Sequence, residues 1–189
     1  SREDVLIIAR RFSESITFVT LDPERIVSAA EGLYALATYL ARTGNQNLDP
    51  AALPNPLFES IDLRFVYGPA ARAERFVQEG SFPRNRMIEA ARELISILDQ
   101  TGQMPSVAWL DGQPLRPEDF AATLARAVLE TGETCPLHTG LFEAGKYVPD
   151  DRPGLWGWVI FPEGFNAPKL MEIARLQAWT IKPAVLRNE

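Results

Sequence analysis

Apolar residues recur three and four positions apart in four stretches of the chain, which is the spacing of one face of an α-helix. This spacing predicts helices over residues 3–12, 28–43, 84–101 and 117–131. Ser28 and Glu31 have the sequence of a capping box at the start of the second helix, and the last three helices each stop before a glycine. Two more helices are predicted, over residues 69–79 and after Asn166.

Short strands are predicted between the helices, where β-branched and aromatic residues cluster. They cover residues 17–20, 62–67, 107–110 and 157–161. Asp111-Gly112 is a dipeptide typical of a tight turn, so residues 107–115 are predicted to form a small hairpin. The chain is therefore predicted to be mainly α with short β-hairpins, an α+β fold that ends in a strand–helix extension.

Two segments of the chain share one order of predicted elements. Residues 6–44 and 94–132 align at an offset of 88 positions, and each runs helix, strand, polar turn, helix and glycine. The identical pairs are Leu6/Leu94, Ile7/Ile95, Val19/Val107, Leu36/Leu124, Ala37/Ala125, Thr43/Thr131 and Gly44/Gly132. Repetition of a small unit is more typical of a binding module than of an active site, which needs one asymmetric arrangement of groups.

The repetition divides the chain into four parts, which we expect to form one compact body. They are a first repeat unit at 1–47, a proline-rich connector and strand at 48–68, a second repeat unit at 69–133 and an aromatic-rich C-terminal extension at 134–189. The connector is predicted because residues 47–58 contain three prolines.

Composition limits the classes of partner. The net charge is −6, which argues against nucleic acid or an anionic membrane surface as the main partner. Val5–Ala9, the longest apolar run near the start, is far shorter than a membrane span, so no membrane insertion is expected. A single cysteine rules out an intrachain disulfide bond.

Cys135 and His138 are the only cysteine and the only histidine, and two residues separate them. A nucleophile pair would need the imidazole beside the thiol and a third group to orient it, which this spacing rarely provides. A zinc site would need further nitrogen or sulfur ligands. We therefore expect a cysteine packed as a small apolar residue, and predict neither a metal nor another cofactor.

The most promising site residues are aromatic. Tyr147, Trp156 and Trp158 lie in one aromatic-rich segment, and strand alternation would place both tryptophans on one face. Flat rings of this kind bind the C–H faces of sugars while nearby polar groups bind the hydroxyls. The alternative is that both faces of this strand are core. Trp109 is a fourth candidate. Leu21 occupies the equivalent position in the first unit, so Trp109 is not part of a repeated ligand contact.

The second unit carries a sequence pattern found in a known family of repeats. Gly102-Gln103-Met104-Pro105-Ser106-Val107 is followed by the turn Asp111-Gly112 and by a helix with Pro117, Phe120 and Leu124. In this order the segment resembles the pseudomurein-binding repeat family, with Met104 in place of a leucine. Residues 6–44 form a more divergent copy, and residues 170–185 have the helix-then-Pro-x-Val order of a partial third copy.

The resemblance implies a non-catalytic module that attaches to a cell-wall or cell-surface polymer, either a polysaccharide or a peptidoglycan-like polymer. It also implies an extracellular or surface location and covalently linked neighbouring domains. Two alternatives stay open. One is a hydrolase acting on cell-wall glycan or peptide with the carboxylates of Glu143, Asp150, Asp151 and Glu163, since glycoside hydrolysis needs two flanking carboxylates. The other is a scaffold for protein–protein interaction.

Overall fold

The computed structural model describes residues 1–44, 61–74, 79–149 and 153–184. The helices in this part of the chain are α1 (Arg2–Glu14), α2 (Ala29–Thr43), α3 (Arg84–Thr101), α4 (Pro117–Leu129), α5 (Pro153–Trp156) and α6 (Pro168–Gln177). The strands are β1 (Val19–Asp22), β2 (Arg25–Val27), β3 (Ser81–Pro83), β4 (Ala108–Leu110), β5 (Gln113–Leu115) and β6 (Thr134–Pro136). They pair as three antiparallel two-stranded sheets, β1–β2, β4–β5 and β3–β6. The predicted α+β class is confirmed.

Both hairpins are closed by short polar turns. The predicted hairpin over 107–115 is confirmed, with Asp111 and Gly112 at φ values of 50° and 76°, the left-handed region that its turn requires. In the first hairpin the carboxylate of Asp22 accepts hydrogen bonds from the backbone N–H groups of Glu24 and Arg25. This local bonding replaces the left-handed turn of the second hairpin.

The order helix, hairpin, helix therefore occurs twice among the described residues, as α1–β1–β2–α2 and α3–β4–β5–α4. The two helix–hairpin–helix segments pack against each other, because α1 packs mainly on α4 and α2 packs mainly on α3. Leu36 on α2 and Leu124 on α4, which are 88 positions apart, are both fully buried in one hydrophobic core. Common descent of the two segments stays a prediction.

The start of α2 follows the predicted capping box. Ser28 Oγ accepts a hydrogen bond from the Glu31 N–H at 3.2 Å, and Glu31 Oε2 accepts one from the Ser28 N–H at 2.8 Å. Helix α1 approaches α2 closely at Gly32, where a Cβ atom would lie 2.8 Å from the ring of Phe12. A side chain at this position would push the two helices apart.

Three predicted elements differ from the structure. Residues 62–67 form no strand, and Tyr67 makes one isolated bridge to Gln103. Residues 69–74 are not helical. The N–H of Gly68 donates to Gln177 Oε1 and thereby holds this part of the chain across the end of α6. Residues 75–78 lie outside the described part. Residues 157–161 form turns instead of a strand.

The C-terminal extension contains β6, α5 and α6, and most of its described residues after Pro153 are exposed or half-buried. Helix α6 supplies the helix of the predicted third copy, whereas Val185 lies outside the described residues. Residues 48–60 of the predicted connector also lie outside them. No helix in the described part of the chain is both long enough and apolar enough to cross a membrane.

Candidate functional site

The best-formed polar site lies where residues 140–147 pack against the end of α1. The N–H of Ile16 donates to the Leu141 carbonyl at 2.8 Å, and the N–H of Glu143 donates to the Ile16 carbonyl at 2.9 Å. Gly140 permits this approach, since a Cβ atom there would lie 1.9 Å from the Glu118 carbonyl oxygen. These contacts fix the position of Glu143 beside α1.

Glu143 joins side chains from separate parts of the chain. Its Oε2 accepts hydrogen bonds from Arg11 at 2.9 Å and from Ser15 Oγ at 2.8 Å, and its Oε1 accepts one from Lys146. The hydrogen bond from Lys146, followed by that from Ser15, lowers the pKa of the Glu143 carboxyl, and the same contact raises the pKa of Lys146. Glu143 and Lys146 are therefore both ionised at neutral pH.

A pocket of about 360 Å³ opens next to these groups, between α1, the start of β1 and the turn at 143–147. We call it the Tyr147 pocket; it is lined in part by Arg11, Thr17, Phe18, Glu143, Lys146 and Tyr147. It combines apolar rings with charged donors and acceptors.

The aromatic part of the Tyr147 pocket is formed by two rings. Tyr147 is 49 % exposed and its ring centroid lies 5.8 Å from that of Phe18. Lys146 Nζ lies 5.3 Å from the centroid of the Tyr147 ring. Thr17 is buried, and its Oγ1 has no hydrogen-bond partner among the described residues. Such an unpartnered buried hydroxyl is rare in folded proteins.

Among the described residues, the positions of the second segment that are equivalent to the wall of the Tyr147 pocket line only a small cavity. Pro105, Val107 and Ala108 stand at the positions of Thr17, Val19 and Thr20 and line a cavity of only about 20 Å³. Apolar side chains, including those of Trp109 and Phe120, also line this cavity. The two segments therefore do not form two equivalent open pockets at this position.

The other predicted aromatic residues lie apart from Tyr147. Trp109 on β4 is 55 % exposed beside Arg86 and Asp111. Trp158 is 67 % exposed in a turn, whereas Trp156 is 8 % exposed and meets the rings of Phe161 and Phe165 edge-on. The expectation that Trp156 and Trp158 share a strand face is wrong, because the chain turns directly after Trp156.

The predicted carboxylates are not gathered at this site. Glu143 lines the Tyr147 pocket, Glu163 is exposed in the C-terminal extension and does not line it, and Asp150 and Asp151 lie outside the described residues. No group of three or more histidine, cysteine or acidic side chains in the described ranges is arranged to hold a metal ion.

Cys135 lies on β6, paired with Phe82 on β3, and is buried. Burial raises the pKa of its thiol, and burial also lowers the pKa of His138, followed by the charge of Arg126. The thiol is therefore protonated at neutral pH, which fits a cysteine packed as a small apolar residue.

Sequence patterns singled out Tyr147 and Glu143 but missed Arg11, Thr17 and Phe18. These three residues precede Glu143 by more than 120 positions. No pattern of neighbouring residues predicts a contact between segments so far apart in the sequence. One hint was Phe18, an aromatic residue within the predicted strand over 17–20.

Comparison of the chain with protein-family models, with curated proteins and with solved structures gives no match. The resemblance to pseudomurein-binding repeats therefore stays a prediction.

Proposed function

We propose that the protein is a non-catalytic binding module for a cell-wall or cell-surface polymer, and that the Tyr147 pocket holds one sugar unit of that polymer. The observation that carries the proposal is the half-exposed ring of Tyr147 beside the ion-paired side chains of Arg11, Glu143 and Lys146. The ring offers an apolar face to the C–H groups of a sugar, and the polar groups offer donors and acceptors to its hydroxyls.

The site is preorganised. Arg11, Ser15 and Lys146 already hold Glu143, so a ligand does not have to order these side chains. The negative charges of Glu143 and of Glu14, which lies 3.7 Å from Arg11, offset the positive charges of Arg11 and Lys146. This balance favours an uncharged glycan over a polyanion.

The bonding of Glu143 favours binding over hydrolysis. A general acid must carry a proton near neutral pH, and the lowered pKa of Glu143 opposes that role. A nucleophilic carboxylate must be free to attack, whereas Glu143 accepts from three side chains. A hydrolase that uses Glu143 therefore has less support than attachment.

Retention on insoluble polymers tests this proposal. The purified chain is mixed with pseudomurein, peptidoglycan, chitin or cellulose, and its depletion from the supernatant is measured. We expect selective retention on one polymer, with Tyr147→Ala weakening it about tenfold, the effect of losing one well-packed aromatic contact. The matched control is Tyr67→Ala, because Tyr67 is 56 % exposed and lies outside the pocket. Equal retention of the two variants, or no retention on any polymer, would contradict the proposal.

A further inference from the structure

A larger pocket, of about 550 Å³, lies beside α6 on the other side of the turn at 142–147. We call it the α6 pocket; its lining includes Ala71, Arg72, Phe142, Met171, Leu176 and Trp179. None of its lining residues also lines the Tyr147 pocket. Its volume falls within the range of pockets that bind small molecules.

The apolar part of the α6 pocket contains two stacked rings. The centroids of Phe142 and Trp179 lie 4.6 Å apart with an angle of 15° between the ring planes. Trp179 is buried and Phe142 is half-buried, so these rings are held in place. A flat aromatic or alicyclic group of a ligand matches such a surface.

The wall formed by residues 68–73 is also fixed. Gly68 lies so close to α6 that a Cβ atom would be 2.0 Å from the Leu176 carbonyl oxygen. The N–H of Gly68 donates to Gln177 Oε1 at 2.9 Å, and the N–H of Ala71 donates to Ser106 Oγ at 3.0 Å. The pocket is therefore present before any ligand binds.

The charges around the α6 pocket indicate the sign of the ligand. Arg72 lines the pocket and forms no ion pair with any described residue. Glu118 also lines it but is already paired with Arg116 at 3.2 Å. Glu172 lines the same pocket and disfavours a ligand that carries a second negative charge. Arg175 also lines the pocket, but its guanidinium already has partners within the protein. One carboxylate placed against Arg72 satisfies this arrangement.

We propose that the α6 pocket binds a small amphipathic monocarboxylate, with its apolar ring against Phe142 and Trp179 and its carboxylate against Arg72. This site is additional to the polymer site. Binding here does not depend on Tyr147, so either proposal can fail without the other.

The probes for this test are 3-phenylpropionate and its uncharged amide, followed by NMR through the indole N–H of Trp179. We expect the acid to shift this resonance with a dissociation constant on the order of 1 mM, as suits a ligand of this size. The amide should bind about fivefold more weakly, the effect of losing one exposed ion pair. Arg72→Gln should weaken binding of the acid by the same factor and leave binding of the amide unchanged.

A second test fills the α6 pocket with a larger side chain. Ala71→Trp should abolish binding of both probes, whereas Ala70→Trp should not, because both alanines are exposed but only Ala71 lines the pocket. Tyr147→Ala should leave both affinities unchanged. An unshifted Trp179 resonance, equal affinities for acid and amide, or equal effects of the two tryptophan variants would overturn the proposal.

Discussion

Glu31 and Asp119, which lie 88 positions apart, occupy the same place in the two helix–hairpin–helix orders. Each is the third residue of its helix, α2 or α4, and both side chains are buried. Each carboxylate also reaches a segment outside its own helix. Glu31 accepts from Lys182 at 2.9 Å, and Asp119 accepts from the N–H of Gly140 at 2.9 Å. These buried acids connect the helical core to the C-terminal extension.

The two acids are predicted to differ in their contribution to stability. Asp119 is 2 % exposed and binds Arg116 through two hydrogen bonds of 2.8 Å. Removing one partner of a buried pair leaves the other charge uncompensated, so Asp119→Ala should lower the free energy of unfolding by about 3 kcal/mol. Lys182 is more exposed, so Glu31→Ala should cost about 1 kcal/mol.

Urea denaturation measures both changes. Glu130→Ala is the matched control, since Glu130 is an exposed acid paired with Arg126 and should change stability by less than about 0.5 kcal/mol. A larger loss for Glu31→Ala than for Asp119→Ala would contradict the comparison.

Gly140 is predicted to tolerate no side chain. A Cβ atom would meet the Glu118 carbonyl at 1.9 Å, so the backbone of 140–143 would have to move away from α1 and α4. Gly140→Ala should therefore lower the free energy of unfolding by about 3 kcal/mol. Gly154→Ala is the control, because nothing lies within 4 Å of a Cβ atom there. Similar denaturation midpoints for both variants would refute this close approach.

The sequence predicts the elements that local chemistry specifies. The capping box at Ser28 and the Asp111-Gly112 turn were identified because each depends on residues a few positions apart. The meeting of Arg11 with Glu143 could not be predicted, since packing between distant segments creates it. The prediction of a strand over 157–161 was wrong. Alternation of apolar residues favours a strand, but it does not supply a neighbouring strand to pair with.

The two tryptophans of the C-terminal extension are predicted to respond differently to substitution. Trp156 is buried against Phe161 and Phe165, so Trp156→Ala should destabilise the protein by about 3 kcal/mol. Trp158→Ala removes an exposed ring and should change stability by less than about 0.5 kcal/mol. Urea denaturation followed by circular dichroism compares them, and equal losses would contradict the difference in burial.

His138 is predicted to make stability depend on pH. Burial lowers its pKa below 6.5 in the folded protein, so the unfolded chain binds a proton first as the pH falls. The free energy of unfolding should therefore decrease as the pH drops below about 6.5. Because the chain has one histidine, His138→Gln should remove most of the change between about pH 7.5 and 5.5. An NMR titration that gives His138 a pKa at or above 6.5 would contradict this mechanism.

The Tyr147 pocket is proposed to hold one sugar unit of a polymer. The most direct measurement is a ¹H–¹⁵N NMR titration of the protein with a soluble oligosaccharide released from the polymer that retains it. We expect the largest shifts to fall on residues 17–20 and 143–147, and Tyr147→Ala to remove them. Largest shifts elsewhere in the chain, or shifts that survive Tyr147→Ala, would contradict it.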